Sequence, residues 1–192
     1  MSRAIIGEHP TGHTYGVSLA AYDKQTDSGF QHRELTENGK TDSFLAYTVS
    51  ALRTHHLSDE ELEDRKATIA SFKIQGLDYA ALSLSLSPYP REESMRKGNF
   101  AEVVTAEYLE AATSANLPVY RLRYNPNVNQ SMKGDDVLLF DLDSDPVRII
   151  VGEAKFRGTP SKSAVAEMVD GLQRSHSGGL PASLPFVCAL RH

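Results

Sequence analysis

The hydrophobic and polar positions divide the chain into a mainly helical first half and a mixed second half. Over 42–56, "DSFLAYTVSALRTHH" places Phe44, Leu45, Thr48 and Leu52 at helical spacing, with Asp42 or Ser43 positioned to cap the helix. The stretch "SDEELEDRKATIASFKIQ" opens on a capping box, Ser58 with Glu61 three residues on, and Gly76 marks its end. Before these helices the chain is rich in Gly, His, Thr and Asp and predicts one strand, over 15–23. "ALSLSLSPYP", 81–90, reads as a half-exposed strand or an extended linker closed by two prolines. A long helix over 92–115 follows, with Phe100, Val103, Val104, Leu109 and Ala111 as its apolar stripe.

Beyond residue 118 the period shortens. "VYRLRYN" (119–125), "DVLLFDLD" (136–143) and "PVRIIVGEAKF" (146–156) predict strands, and the turn-like "DSDP" joins the last two as a hairpin. Pro160 and Ser161 introduce a helix that stops at Gly178-Gly179, and "PFVCALRH" predicts a final strand. From residue 92 the expected order is therefore α-β-β-β-α-β. A chain stopping inside a core strand predicts a fragment of a longer protein.

Composition narrows the classes. A chain of 192 residues, 40% hydrophobic and 23% charged, is an ordinary globular protein with one main core. No apolar run reaches the length of a membrane span, and the N-terminus lacks the features of a signal peptide. With Cys188 as the single cysteine, neither an intrachain disulfide nor a cysteine-rich zinc site can form. These features predict a cytoplasmic protein with no membrane partner. The net charge is −5, but the acidic excess lies before residue 118 and the remainder is slightly basic. A polyanion is more easily held by that second part.

One short stretch changes the picture. "VRIIVGEAKFRG" is an apolar run that ends in Glu153 and Lys155, two charges whose i, i+2 spacing directs them to one face of a strand. Burying them is costly unless they pair or bind a metal. Asp136 opens the partner strand of the predicted hairpin, and Glu102 lies on the preceding helix. Two or three converging carboxylates repel one another, and a hard divalent cation relieves that repulsion. Mg²⁺ favours such an oxygen site, and a neighbouring lysine is placed to orient the attacking water or offset developing charge.

This arrangement resembles the PD-(D/E)xK nuclease superfamily. The matching residues are Glu102 on the leading helix, Gly134-Asp135-Asp136 for the G-x-D form of the first motif, and Glu153-Ala154-Lys155 for (D/E)-x-K. Gln173 stands where many members keep a glutamine near the site. The proline of the superfamily's name is missing, and the adjacent acids leave the ligand open, with the spacing favouring Asp136. The resemblance covers about 92–192. It implies an α/β restriction-endonuclease-like core, a mixed central sheet flanked by helices, with 1–91 as a mainly helical accessory region. It also implies phosphodiester hydrolysis with Mg²⁺, for which Mn²⁺ substitutes. Asp136, Glu153 and Glu102 would hold the metal, joined by the Ala154 carbonyl, and Lys155 would position the water. Within the superfamily, "RKGNFAEVVTAEYLE", "KGDDVLLF" and "VGEAKFRG" are most similar to the nuclease subunit of Hachiman-type anti-phage defence, which implies DNA as substrate and a helicase (ATPase) partner. A non-catalytic nuclease-fold module that binds DNA or docks that partner is the alternative.

Plainer readings compete at several positions. Asp64-Arg65-Lys66 also matches (D/E)-x-K, but on a charged helix where both side chains are solvated. His9, His13, His55 and His56 are not surrounded by acids and read as structural. Arg121, Arg123, Lys133, Arg157, Lys162 and Arg174 flank the proposed site, either as phosphate contacts or as ordinary surface charge.

Overall fold

The computed structural model describes residues 6–25, 31–73, 87–159 and 161–190. Gly76, Pro160 and most of the 81–90 stretch lie outside them. The described residues form a mixed α/β arrangement of six α-helices and two antiparallel hairpins. The first hairpin pairs β1 (Leu19–Gln25) with β2 (Gln31–Glu37). The second pairs β3 (Val137–Asp141) with β4 (Arg148–Gly152), in a register that sets Val137 opposite Gly152 and Asp141 opposite Arg148. The mixed central sheet expected of a restriction-endonuclease-like core is not formed by the described residues.

The helical expectations are met where their sequence signals were local. Helix α2 spans Thr41–His56, although it starts behind Lys40 with no side-chain cap rather than at Asp42 or Ser43. Helix α3, Asp59–Lys73, begins in the anticipated capping box. There the Ser58 Oγ accepts from the Glu61 N–H at 3.1 Å, and the Glu61 Oε2 accepts from the Ser58 N–H at 3.0 Å. Helix α4 runs Glu93–Thr113 and stops at Ser114, whose φ of 56° is left-handed. Helix α5, Lys162–Ser175, is capped by Ser161, whose side chain accepts from the Ala164 N–H at 3.2 Å.

Three expectations are corrected. The stretch 15–23 begins as a helical turn, α1 (Thr14–Ser18), capped by the His13 side chain, and only then becomes β1. Its partner β2, "QHRELTE", was not anticipated: Leu35 is its one aliphatic residue, too few for a period-two signal. The stretch 119–125 is no strand but a 3-10 turn, Arg121–Tyr124. Adjacent Arg121 and Leu122 both point inward there, toward Glu102 and toward Ala51 and Val103 respectively, which the alternation of a strand forbids. The closing "PFVCALRH" is helical over Leu184–Ala189 (α6), because Pro185 in the first turn is well suited to starting a helix.

Helix α4 is the element that joins the parts. One side packs Ala106 and Leu109 on Val137, Leu139 and Ile150 of the second hairpin. Tyr108 and Ala112 meet Tyr15, Leu19 and Phe44, while Val103 meets Ala51 and Leu122. The accessory region and the segment after residue 92 thus share hydrophobic clusters along a single helix. This fixes the α4 side chains, Glu102 among them, against the start of β3.

Candidate functional site

Helix α4 offers three buried or half-buried acids, and packing sends them different ways. Glu107 turns to the N-terminal region and accepts from the Tyr47 hydroxyl at 2.6 Å and meets His55 Nε2 at 2.8 Å. Glu110 accepts from the Leu117 N–H at 2.8 Å. Glu102, 7% exposed, faces the start of β3. The Arg121 guanidinium grips it as a fork: Nε donates to Oε1 at 3.1 Å and Nη2 to Oε2 at 2.9 Å. The same Nη2 reaches Asp136 Oδ1 at 3.2 Å, and Nη1 donates to the Met132 carbonyl at 2.5 Å.

The adjacent acids before β3 have separate tasks. Asp135, 2% exposed, accepts from the Ser183 N–H at 2.9 Å and from the Ser175 hydroxyl. Its own N–H donates to Ser183 Oγ at 2.7 Å. It therefore ties the root of the hairpin to the end of α5 and the start of α6. Gly134 makes this approach possible: its φ is +137°, and a Cβ there would lie 2.4 Å from Ser183 Oγ. Asp136 points the other way, and its second oxygen accepts from the Ala154 N–H at 2.9 Å. Of the two, Asp136 is the one whose carboxylate shares Arg121 with Glu102.

Glu153 and Lys155 lie just past the end of β4, paired at 2.7 Å. The Glu153 carboxylate packs on α5 at Gly171, where an added Cβ would stand 3.0 Å from Glu153 Cδ. Gly171 is a signal that sequence reasoning missed: a glycine inside a helix leaves room for a neighbour. Gln173, two residues on, is exposed and does not line the cleft. That cleft, of about 320 Å³, is lined by Glu102, Arg121, Asp136 and Lys155 with Lys97 and Phe156. On the inner side of the same ion pairs lies a cavity of about 20 Å³, walled also by Asp135 and Val187.

The acids feel one another. Burial, with repulsion from Asp136 and Glu153, pushes Glu102 up to about 7 in spite of Arg121. Burial likewise raises Asp136, opposed by the Ala154 N–H and reinforced by Glu153. Burial works against the Arg121 charge, and Glu102, then Asp136, more than restore it.

Of the predicted site residues, Glu102, Asp136, Glu153 and Lys155 are brought to one region, and Gln173 is not. As arranged, these residues do not fit a shared divalent ion. Among the described residues no group of three His, Cys, Asp or Glu side chains is gathered to hold one. The Arg121 guanidinium stands between Glu102 and Asp136, and Lys155 holds Glu153. Arg121 is the principal residue that the sequence did not single out for this role. Arg123 is also committed internally, to the Thr54 carbonyl at 2.7 Å and to the face of Tyr120, and Arg157 pairs with Glu167 at 2.6 Å. Lys133, Lys162 and Arg174 are exposed. His9, His13, His55 and His56 are held in structural contacts, as expected: His9 and His13 bond to Tyr108 and Tyr47, His55 to Glu107, and His56 to the Leu52 carbonyl and Asn99. No helix among the described residues is long and apolar enough to cross a membrane.

Comparison with known proteins gives this geometry a family. No solved structure matches the chain. The curated Hachiman protein HamA of Bacillus cereus is 33% identical over 186 residues, which is 95% of this chain and 65% of that protein. The chain thus spans just under two thirds of the length of that relative. The HamA family profile matches residues 17–191, a stretch that includes every element from β1 to α6 and all the acids of the cleft, and the chain belongs to the HamA family.

Proposed function

We propose that the chain is the nuclease effector of a Hachiman-type anti-phage defence complex, cleaving phosphodiester bonds in DNA beside a helicase partner. The relative's name, Hachiman protein HamA, supports the defence role. One observation carries the chemistry: Asp136 and Lys155 line a cleft at the end of the second hairpin together with Glu102, and Glu153 is paired to Lys155 beside it. In that cleft the Lys155 ammonium holds the attacking water or a phosphate oxygen, and Lys97 adds a second cation at the rim. Mg²⁺, with Mn²⁺ substituting, is the proposed cofactor, on the ground that the carboxylates outnumber the two cations paired to them. The pairings with Arg121 and Lys155 must open before any ion is shared.

The test is incubation of wild type and of Glu153→Ala/Lys155→Ala with plasmid and linear DNA, in Mg²⁺ or EDTA. Mg²⁺-dependent cleavage that disappears in the folded variant supports the proposal. A second reading, a nuclease-fold module that binds DNA or docks a helicase without cutting, is favoured by the ion pairs that already satisfy the acids. DNA or helicase binding by a folded wild type that never cleaves, even in complex with its partner, would select this second reading.

A further inference from the structure

Arg121 makes four polar contacts, and they are not equivalent. Two form the fork on Glu102, at 2.9 and 3.1 Å, and a third fixes Nη1 to the Met132 carbonyl at 2.5 Å. The fourth, to Asp136 Oδ1, is the longest at 3.2 Å and shares its nitrogen with Glu102. The guanidinium can therefore leave Asp136 while remaining docked on the other two. Asp136 Oδ2 is already held by the Ala154 N–H, so Oδ1 is the oxygen with which the aspartate can newly engage the cleft. That is the atom Arg121 covers.

Electrostatics make the arrangement consequential. When Glu102 is ionised, above a pH of about 7, it carries with Asp136 and Glu153 three negative charges against the positive charges of Arg121 and Lys155, leaving the group one charge negative. A guanidinium touching Asp136 supplies the neutralisation a divalent ion would otherwise supply. At such distances one unit charge changes the energy of another by several kcal/mol, even with an effective dielectric constant of about 20.

We infer that Arg121 is an internal counterion that competes with a divalent cation for Asp136, and that Glu102 is the positioning residue that docks Arg121 rather than a ligand of the ion. This rests on the reading that the cleft takes a divalent cation, and it reverses the role expected of Glu102. Arg121 sets the affinity of the site. With Arg121 against Asp136 the acids are satisfied and the site is closed to the ion. Once Arg121 withdraws from Asp136, the site takes one.

Mn²⁺ binding, measured by calorimetry and electron paramagnetic resonance, tests this without any cleavage assay. Arg121→Gln should bind Mn²⁺ at least tenfold more tightly than wild type, because glutamine keeps hydrogen bonds and loses the charge. Arg121→Lys, which keeps the charge, should stay within about threefold of wild type. Because Arg121→Gln alone strands a buried Glu102 and can fail to fold, the Glu102→Gln/Arg121→Gln pair supplies the same comparison with both charges removed. That pair should also gain at least tenfold, and adding Asp136→Asn should abolish the gain. An unchanged or weakened affinity in a folded Arg121→Gln protein overturns the inference. So does loss of the gain when Glu102 is also neutralised, which would make Glu102 a ligand. Absence of Mn²⁺ binding in every protein overturns the metal reading together with it. Binding that follows Arg121 as expected, but without DNA cleavage, would sink the nuclease reading alone.

Discussion

Replacing Asp135 with alanine should damage the fold, while replacing its neighbour Asp136 with asparagine should damage chemistry. The Asp135 carboxylate accepts from the Ser183 N–H and the Ser175 hydroxyl at 2% exposure. Hydrogen bonds to a charged group are worth roughly 1.5–3 kcal/mol each, and truncation also strands the buried Ser183 N–H. The expected loss is about 3–5 kcal/mol, a large part of the roughly 5–15 kcal/mol that holds a domain together. With a urea m-value of about 2 kcal/mol per molar, the midpoint should fall by about 2 M. Asp136→Asn keeps an oxygen for the Ala154 N–H and leaves the Glu102–Arg121 fork in place, losing only the long contact from Arg121 Nη2, toward which the amide NH2 then turns, so its cost should be about 1–2 kcal/mol. Urea melts of both variants beside wild type, with DNA cleavage assayed in parallel, separate the two roles. Should Asp135→Ala keep its midpoint within about 0.5 M, or Asp136→Asn lose stability while retaining full cleavage, the division of labour argued from the hydrogen bonds is wrong.

Other substitutions probe the supports of the same cleft. Gly134→Ala would place a Cβ 2.4 Å from Ser183 Oγ at a φ of +137°, and should cost about 2–3 kcal/mol by thermal melt; an unchanged melting temperature would refute the close approach. Gly171→Ala should gain or keep stability, since alanine is favoured over glycine in a helix by about 1 kcal/mol. Its Cβ at 3.0 Å should nonetheless displace Glu153 and lower cleavage at least tenfold, which the paired melt and cleavage measurements check. His56 gives a pH dependence. Burial pushes it below its ordinary value of 6.5, opposed by the Leu52 carbonyl, so its stabilising contribution is full above about 6.5 and declines as pH falls through the lower folded value. Between pH 7.5 and 5.5 the wild-type denaturation midpoint should fall relative to that of His56→Leu, a comparison in which the opposing gain from protonating Glu102 cancels; an unchanged difference would refute the assignment.

The sequence made the fold legible where a signal was local and period-specific. The capping box at Ser58 and Glu61 and the apolar stripe of α4 each act within a few residues of chain, and both appear as read. The hairpin of β3 and β4 was legible for the same reason, a run of aliphatic residues on each side of a turn. The 3-10 turn at Arg121–Tyr124 was not. Its alternation of apolar and basic residues mimics a strand, and what overrides it is tertiary: Leu122 has a slot against Val103, and Arg121 has two acids to meet. Helix α6 was lost to the same ambiguity, because a short apolar run is periodic in neither sense.

The candidate site shows the limit more sharply. Sequence spacing put Glu102, Asp136, Glu153 and Lys155 in one neighbourhood, since a helix, two paired strands and a short offset fix where they lie. It could not assign their partners. Asp135 and Asp136 are chemically identical, and only the orphaned N–H groups at the start of α6 draw one of them inward. Arg121 is fourteen positions before Asp135 in a stretch read as a strand, and nothing in one sequence announces that its guanidinium lies between two acids. A motif records where charges are; whether they await an ion or have already found a counterion depends on a side chain arriving from elsewhere. In this chain that side chain is Arg121, and it turns the expected cluster of free ligands into a set of ion pairs that must be exchanged before the cleft can hold a metal.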